Sequence, residues 1–438
     1  MAFRAASLTK HARTFTTRLS SAQKFSPTPR RLRFFSSTPI HHISSYSNDP
    51  PPPPLNSLVA DAIKADNDTW PKRVTIRHPN GDISDDFDYT VLPPRGRWGE
   101  VFPWSMETKS RFALMDAEVA KLLAEAYVPE GSKDRIVVEA FPGPGVLTRA
   151  LLDLPKDRIK KLIVLEDYDR YYNYLQPLQA MDPRVTVLPV SGYMWTTYEF
   201  IEQMGLLKDV KTVDWSEEHP NLTFIGQIPY KVHGEQLVSQ LFRSIPDQTW
   251  FFKYGRVPMH MILSECGILQ RISAPPGNNV VRCKLSVIAQ ATASLEQSIP
   301  PEELTPYEEV FHPIHRRDST SLDFLSVTIT PLQEQLIQKG LMDDWDYCLR
   351  RLFVQKAQPI KNSIVQLAPG AGSLLKKITS EDLPPRQRIS PKTPVRKLTV
   401  KEWKLLVETF ADWPFKPDDL SIDSFHVSAT RQESKKVI

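Results

Sequence analysis

The chain has 438 residues, of which 41% are apolar and 24% charged. It contains no apolar run of 18, so it reads as a soluble globular chain of roughly two or three domains rather than a membrane protein. Cys266, Cys283 and Cys348 are an odd number with no CxxC pair, which argues against a disulfide framework and a structural zinc site.

Residues 1–48 hold six Arg, two Lys, nine Ser and six Thr, and the first acid is Asp49. Such a basic, acid-free start reads as a mitochondrial presequence, which predicts a mitochondrial matrix protein. Arg33-Phe34-Phe35-Ser36-Ser37 suits a matrix protease cutting after Phe35. Residues 1–35 carry eight of the 55 basic residues and none of the 51 acids, so the formal charge of +4 becomes −4 without them. Nucleic-acid binding would then have to come from a local patch.

In chain order, a Pro-rich linker spans 36–57, with Pro50 to Pro54 as a stiff spacer. An α/β domain with an N-terminal extension is predicted over 58–330. Val119, Leu122, Leu123 and Ala126 predict a helix from Asp116 to Tyr127. Strands are expected at Ile136–Val138, Lys161–Leu165, Val185–Leu188, Leu222–Ile225, Thr249–Tyr254 and Val280–Ala291. Helices are expected at Leu147–Leu154, Tyr168–Leu178 and Gly234–Phe242, and Met259-His260-Met261 reads as helix packing. The alternation predicts a mostly parallel, doubly wound sheet with an antiparallel edge. A helical domain follows over 331–420, clearest at Leu341–Phe353 and Val400–Phe410. Between Arg350 and Lys397, eleven Lys or Arg face only Glu381 and Asp382. That segment is either a nucleic-acid patch or a solvated linker. The tail 421–438 is polar and predicted to be disordered.

The chemistry gathers at strand ends. Glu139-Ala140-Phe141-Pro142-Gly143-Pro144-Gly145 follows the first strand and opens a helix, a turn that lets a ligand approach the backbone. Glu166 ends the second strand, where a carboxylate can take both hydroxyls of a ribose. Gln227-Ile228-Pro229-Tyr230 ends the fourth strand. An amide followed by x-Pro-aromatic suits methylation of an exocyclic amine, with the ring stacking on an unpaired base.

With these motifs the chain resembles the rRNA adenine dimethyltransferase family, and within it the mitochondrial transcription factor B branch that includes fungal initiation factors. The resemblance covers roughly 105–410. It implies a Rossmann-like S-adenosylmethionine-dependent methyltransferase fold with a small C-terminal helical domain. Glu139, Pro142, Gly143, Gly145 and Glu166 match the family's E-x-G-P-G-x-G and acidic motifs. Phe141 stands where the family has Gly, Gly192 where it has Asp, and Gln227 where its N-L-P-Y motif has Asn. Arg111-Phe112-Ala113-Leu114-Met115-Asp116 is a trace of the G-Q-N-F-L-x-D cofactor lid. Phe311-His312-Pro313 is similar to the F-x-P segment, and Phe353 to Asn362 to the basic F-x-x-R-R-K-x-L-x-N segment.

The resemblance therefore implies a cofactor site of Leu114, Glu139, Phe141, Gly143, Gly145, Glu166, Gly192 and Gln227, and, if the chain is active, catalysis by Gln227, Pro229 and Tyr230. S-adenosylmethionine either binds weakly there or no longer binds, the surviving residues then only holding the turn. Nucleic-acid contacts are expected from Tyr230, Lys253, Arg256, Arg282, Lys284, Phe311, Lys356 and Lys361, with Trp195, Tyr198 and Arg271 as further candidates. His312-x-x-His315 lacks an acid or Cys to complete a metal site, so no metal is expected. The leading expectation is a mitochondrial transcription initiation factor working with a single-subunit mitochondrial RNA polymerase on promoter DNA. The alternatives are an active dimethyltransferase of small-subunit rRNA and a structural rRNA-binding assembly protein.

Overall fold

The computed structural model describes residues 88–312, 323–384 and 388–420, together with a two-strand pair, Ile76–Arg77 and Ile83–Ser84. These residues belong to one compact unit, 54–438. The expected presequence 1–35, Pro50 to Pro54, His315 and the tail 421–438 lie outside them.

Seven strands form the central sheet: β1 (Arg135–Ala140), β2 (Ile159–Leu165), β3 (Val185–Leu188), β4 (Leu222–Gln227), β5 (Met259–Ser264), β6 (Ala293–Gln297) and β7 (Phe324–Pro331). Their spatial order is β3-β2-β1-β4-β5-β7-β6. The first five run parallel, and β7 is antiparallel to both β5 and β6. This is the Rossmann-like methyltransferase fold, followed by a helical region.

Side chains of β1 alternate between two cores, as strand geometry requires. Val137 packs with α1 (Ala117–Tyr127), α2 (Val146–Asp153) and α3 (Asp169–Leu175) on one face. Ile136, Val138 and Ala140 face α4 (Trp195–Gln203) and α5 (Val232–Ser244) on the other. The second core runs on without a break through α6 (Lys284–Thr292) into α7 (Met342–Phe353) and α8 (Val400–Ala411). There Tyr347 stacks on Phe410 at 5.5 Å and Phe353 on Trp403 at 5.6 Å. The Asp116 carboxylate caps α1 by accepting from Glu118 and Val119, and Thr399 with Glu402 forms a capping box on α8.

Four expected elements differ. Thr249–Tyr254 is not a strand but a 3-10 turn, Trp250–Tyr254. The fifth strand is Met259–Ser264, which had read as helix packing. All six of its residues are buried, and a strand covered on both faces shows no apolar alternation. Val280–Ala291 is not a strand either. Its second half is α6, whose buried Leu285, Val287, Ile288, Ala289 and Ala291 surround the helix and erase its periodicity. The antiparallel edge is built instead by Ala293–Gln297 and β7. Pro177 divides the expected Tyr168–Leu178 helix into α3 and a short turn, Leu178–Met181.

Candidate functional site

At the C-terminal end of β1 the chain turns through Phe141, Pro142 and Gly143 into α2, whose N-cap is Gly145. Gly143 has φ +62°, and a Cβ there would stand 2.4 Å from the Ala113 Cβ. Glycine is therefore what lets the 111–116 segment lie on the turn. Phe141 has φ +57°, a left-handed conformation that costs a residue with a Cβ about 1–2 kcal/mol. Its buried ring also occupies space beside Gly192, where an added Cβ would lie 2.7 Å from the Ala140 Cβ and 3.4 Å from the Phe141 ring. A side chain at 192 would thus strike the end of β1 at Ala140 first, with the phenyl ring at contact distance beyond it.

Glu166, at the end of β2, is buried and already engaged. Arg111 donates Nη1 to Oε1 at 2.6 Å and Nη2 to Oε2 at 2.5 Å, and the Tyr168 amide donates to Oε1 at 2.9 Å. Arg111 also reaches Asp167 at 3.3 Å, and its guanidinium carbon lies 5.4 Å from the ring centroids of both Phe141 and Tyr171. Burial works against the charge on Arg111, but the Glu166 carboxylate outweighs it and holds the guanidinium above its ordinary pKa. Glu139 is buried on β1, where Thr148 Oγ1 donates to Oε2 at 2.8 Å. Burial pushes its carboxyl up to about 8.

Gln227 ends β4 with 2% of its surface exposed. Its Oε1 accepts from the Leu114 amide at 2.7 Å, and its Nε2 donates to the Pro142 carbonyl at 3.0 Å. The side-chain amide is a pin between the 111–116 segment and the turn after β1. Tyr230 closes the same segment from the other side: its amide donates to the Ser110 carbonyl and its hydroxyl to the Lys109 carbonyl, both at 2.9 Å. Phe311 and His312 pair with Leu114 and Ala113 as a short antiparallel bridge. A cleft of about 870 Å³ remains beside this closed segment, lined by Arg111, Phe141, Asp167, Tyr193, Pro229 and His233. Pro229 owes its position partly to Gly234, because a Cβ there would strike the Pro229 carbonyl oxygen at 1.7 Å.

Residues 109–412 match the family described as ribosomal RNA adenine dimethylase. The chain belongs to the ribosomal RNA adenine dimethylase family. It is similar to mitochondrial dimethyladenosine transferase 1 of Vermamoeba vermiformis, with 25% identity over 317 residues, 65% of this chain and 84% of that one. It is also similar to mitochondrial transcription factor 1 of Saccharomyces paradoxus, with 26% identity over 299 residues, 65% and 82% of the two chains. Among solved structures, the 23S rRNA methyltransferase ErmE matches with a TM-score of 0.42 and 16% identity over 68% of this chain and 99% of that chain.

The cofactor of this dimethylase family is S-adenosylmethionine, and the residues present do not fit it. Both oxygens of Glu166 are taken by Arg111, and no side chain extends from Gly192. Leu114, Glu139, Gly143, Gly145, Gly192 and Gln227 do stand with Phe141 and Glu166 around one turn, but their partners belong to the chain: Gln227 bonds Leu114 and Pro142, Glu139 bonds Thr148, Gly143 lies against Ala113, Gly145 against Leu175 and Gly192 against Ala140 and Phe141. Arg111, which the sequence marked only as part of the lid trace, is the partner of Glu166.

The expected nucleic-acid residues divide. Phe311 is buried against Phe112 and Phe324, and Tyr198 is buried with its hydroxyl on the Gly192 carbonyl, so neither ring is available for stacking. Trp195 is half-buried against Trp250. Arg282 is fully buried and donates to the carbonyls of Ala274 and Leu398, which makes it a structural tie rather than a phosphate contact. Arg256 precedes β5, at the sheet edge opposite the cleft, and bonds the carbonyls of Pro331 and Ser216. Lys253 pairs with Glu202, Arg271 with Glu235 and Lys284 with Asp346. Asp346 also holds Arg243, joining α5, α6 and α7.

Lys356 and Lys361 fall on a feature the sequence did not reveal. Segments 356–361 and 391–396 run side by side, joined by Ile360 to Thr393, Val395 to Gln358 and Arg396 to Lys356 backbone bonds. The ribbon gathers Lys356, Lys361, Lys392, Arg396 and Lys397. Lys361, Lys392 and Lys397 are exposed, whereas Lys356 is half-buried and donates to the Val280 carbonyl. Among the described residues no cluster of three His, Cys, Asp or Glu could hold a metal, and His312 bonds the Phe102 carbonyl. No helix among them is long and apolar enough to cross a membrane.

Proposed function

We propose that this dimethylase-family chain is a mitochondrial transcription initiation factor. It acts in the matrix, binds promoter DNA with weak sequence preference and helps a mitochondrial RNA polymerase melt it. The observation that carries this reading is the engagement of Gln227. An amide that must orient a target amine is here bonded at both ends to the chain's own backbone. A displacement of about 1 Å in a catalytic group can cost on the order of a hundredfold in rate. The exposed cations of the 356–361 and 391–397 ribbon suit a phosphate backbone, and the relative from Saccharomyces paradoxus named a mitochondrial transcription factor supports the assignment.

A second reading, an active dimethyltransferase of adjacent adenines in small-subunit rRNA, draws on the retained Pro229-Tyr230 pair and on the relative named a dimethyladenosine transferase. The test is promoter opening, followed with a fluorescent base analogue placed at the start site. With the polymerase present, the mature protein should raise the signal, and reversing the exposed Lys361, Lys392 and Lys397 to Glu should reduce the rise. Absence of any rise would overturn the factor reading.

A further inference from the structure

Arg111 belongs to neither the turn nor the target-base motif, yet it bonds both oxygens of Glu166. We propose that Arg111 is a built-in occupant of the nucleoside site, and that its guanidinium, rather than the loss of the site's walls, is what excludes a ribonucleoside. The inference rests on the non-catalytic reading of the same site and names the residue responsible for its cofactor end.

Three observations support it. The guanidinium covers both Glu166 oxygens through two short parallel bonds, the same two acceptors that vicinal ribose hydroxyls would use. It lies 5.4 Å from the ring centroids of both Phe141 and Tyr171, close enough for each ring face to hold the cation in place. The cleft of about 870 Å³ opens directly beside it, with Arg111, Phe141, Asp167 and Tyr168 in its lining. Shortening the Arg111 side chain would therefore join that cleft to a buried carboxylate that keeps only the Tyr168 amide on Oε1 and has no partner on Oε2. A neutral diol meets that need without bringing a charge.

Arg111 is held there by its neighbours as much as by Glu166. Ser110 accepts from the Tyr230 amide, Ala113 rests on Gly143, and the Leu114 amide donates to Gln227. The backbone of the segment is thus fixed independently of the arginine, and a substitution at 111 leaves these ties in place.

The experiment is calorimetric titration of the mature protein and its variants with adenosine and with S-adenosylmethionine, with thermal shift as a second readout. Arg111→Ala strands a buried carboxylate, so Arg111→Gln, which keeps a donor and has the residue type of the lid motif, is titrated beside it. Either variant should bind adenosine at least tenfold more tightly than the parent and rise in melting temperature on addition of the nucleoside. Adding Glu166→Gln to the variant should remove the gain. Folded variants that bind no better than a non-binding parent would overturn the proposal while leaving the non-catalytic reading intact. A gain that survives Glu166→Gln would also overturn it, and tight binding by the parent would overturn both.

Discussion

The turn after β1 and the ribbon of the helical region treat polar side chains in opposite ways. Around the turn, Glu166, Gln227 and Tyr230 all bond to the chain itself. On the ribbon, Lys361, Lys392 and Lys397 face solvent. Groups that the family motifs would aim at a ligand bond here to the chain itself, whereas the ribbon presents its lysines to solvent. A family motif therefore says where a residue stands, and its bonding partners say what it does.

The comparison breaks most sharply at a buried cation. Arg282→Ala removes charged donors from the Ala274 and Leu398 carbonyls, at about 1.5–3 kcal/mol per bond. Urea denaturation should show a loss of about 3 kcal/mol or more, with the salt dependence of DNA binding unchanged. Reversing Lys361, Lys392 and Lys397 together to Glu should do the converse. DNA affinity should fall on the order of ten- to a hundredfold and the salt slope should flatten, since each lost phosphate contact removes about 0.9 from it, while the urea midpoint stays put.

Another effect concerns pH. The unfolded chain releases the Glu139 proton near 4.5 and the folded chain near 8, so between these values the folded state binds more protons and its stability falls as pH rises. Glu139→Gln has no proton to lose there. Its stability relative to the parent should be lowest below pH 4.5 and grow until about pH 8, read from urea curves across the range. A flat difference would mean that Glu139 ionises normally. Least of all should follow from Lys253→Ala, because Lys253 is exposed and paired with Glu202: DNA affinity should stay within about twofold, as is usual for an exposed pair.

Much of the sheet was legible because β1 to β4 carry short apolar runs between helical patterns, and Val185–Leu188 was placed to the residue. The later elements were not, for a physical reason. Met259–Ser264 and α6 are buried on nearly all sides, which leaves no polar face to set a period. The site was legible as a set of positions: Glu139, Phe141, Gly143, Gly145, Glu166, Gly192 and Gln227 do converge. Their roles were hidden, because the partner of Glu166 lies 55 residues earlier and that of Gln227 lies 113 residues earlier. Counting charge likewise could not separate Arg282, which is buried, from Lys361, which is not.

The central claim is that these groups no longer serve methyl transfer. Its most direct test is incubation of the chain lacking residues 1–35 with tritiated S-adenosylmethionine and the small-subunit rRNA hairpin, beside an active dimethylase as positive control. The account predicts labelled adenine in the control alone. Label on adenine with this protein would contradict it and make the chain an enzyme.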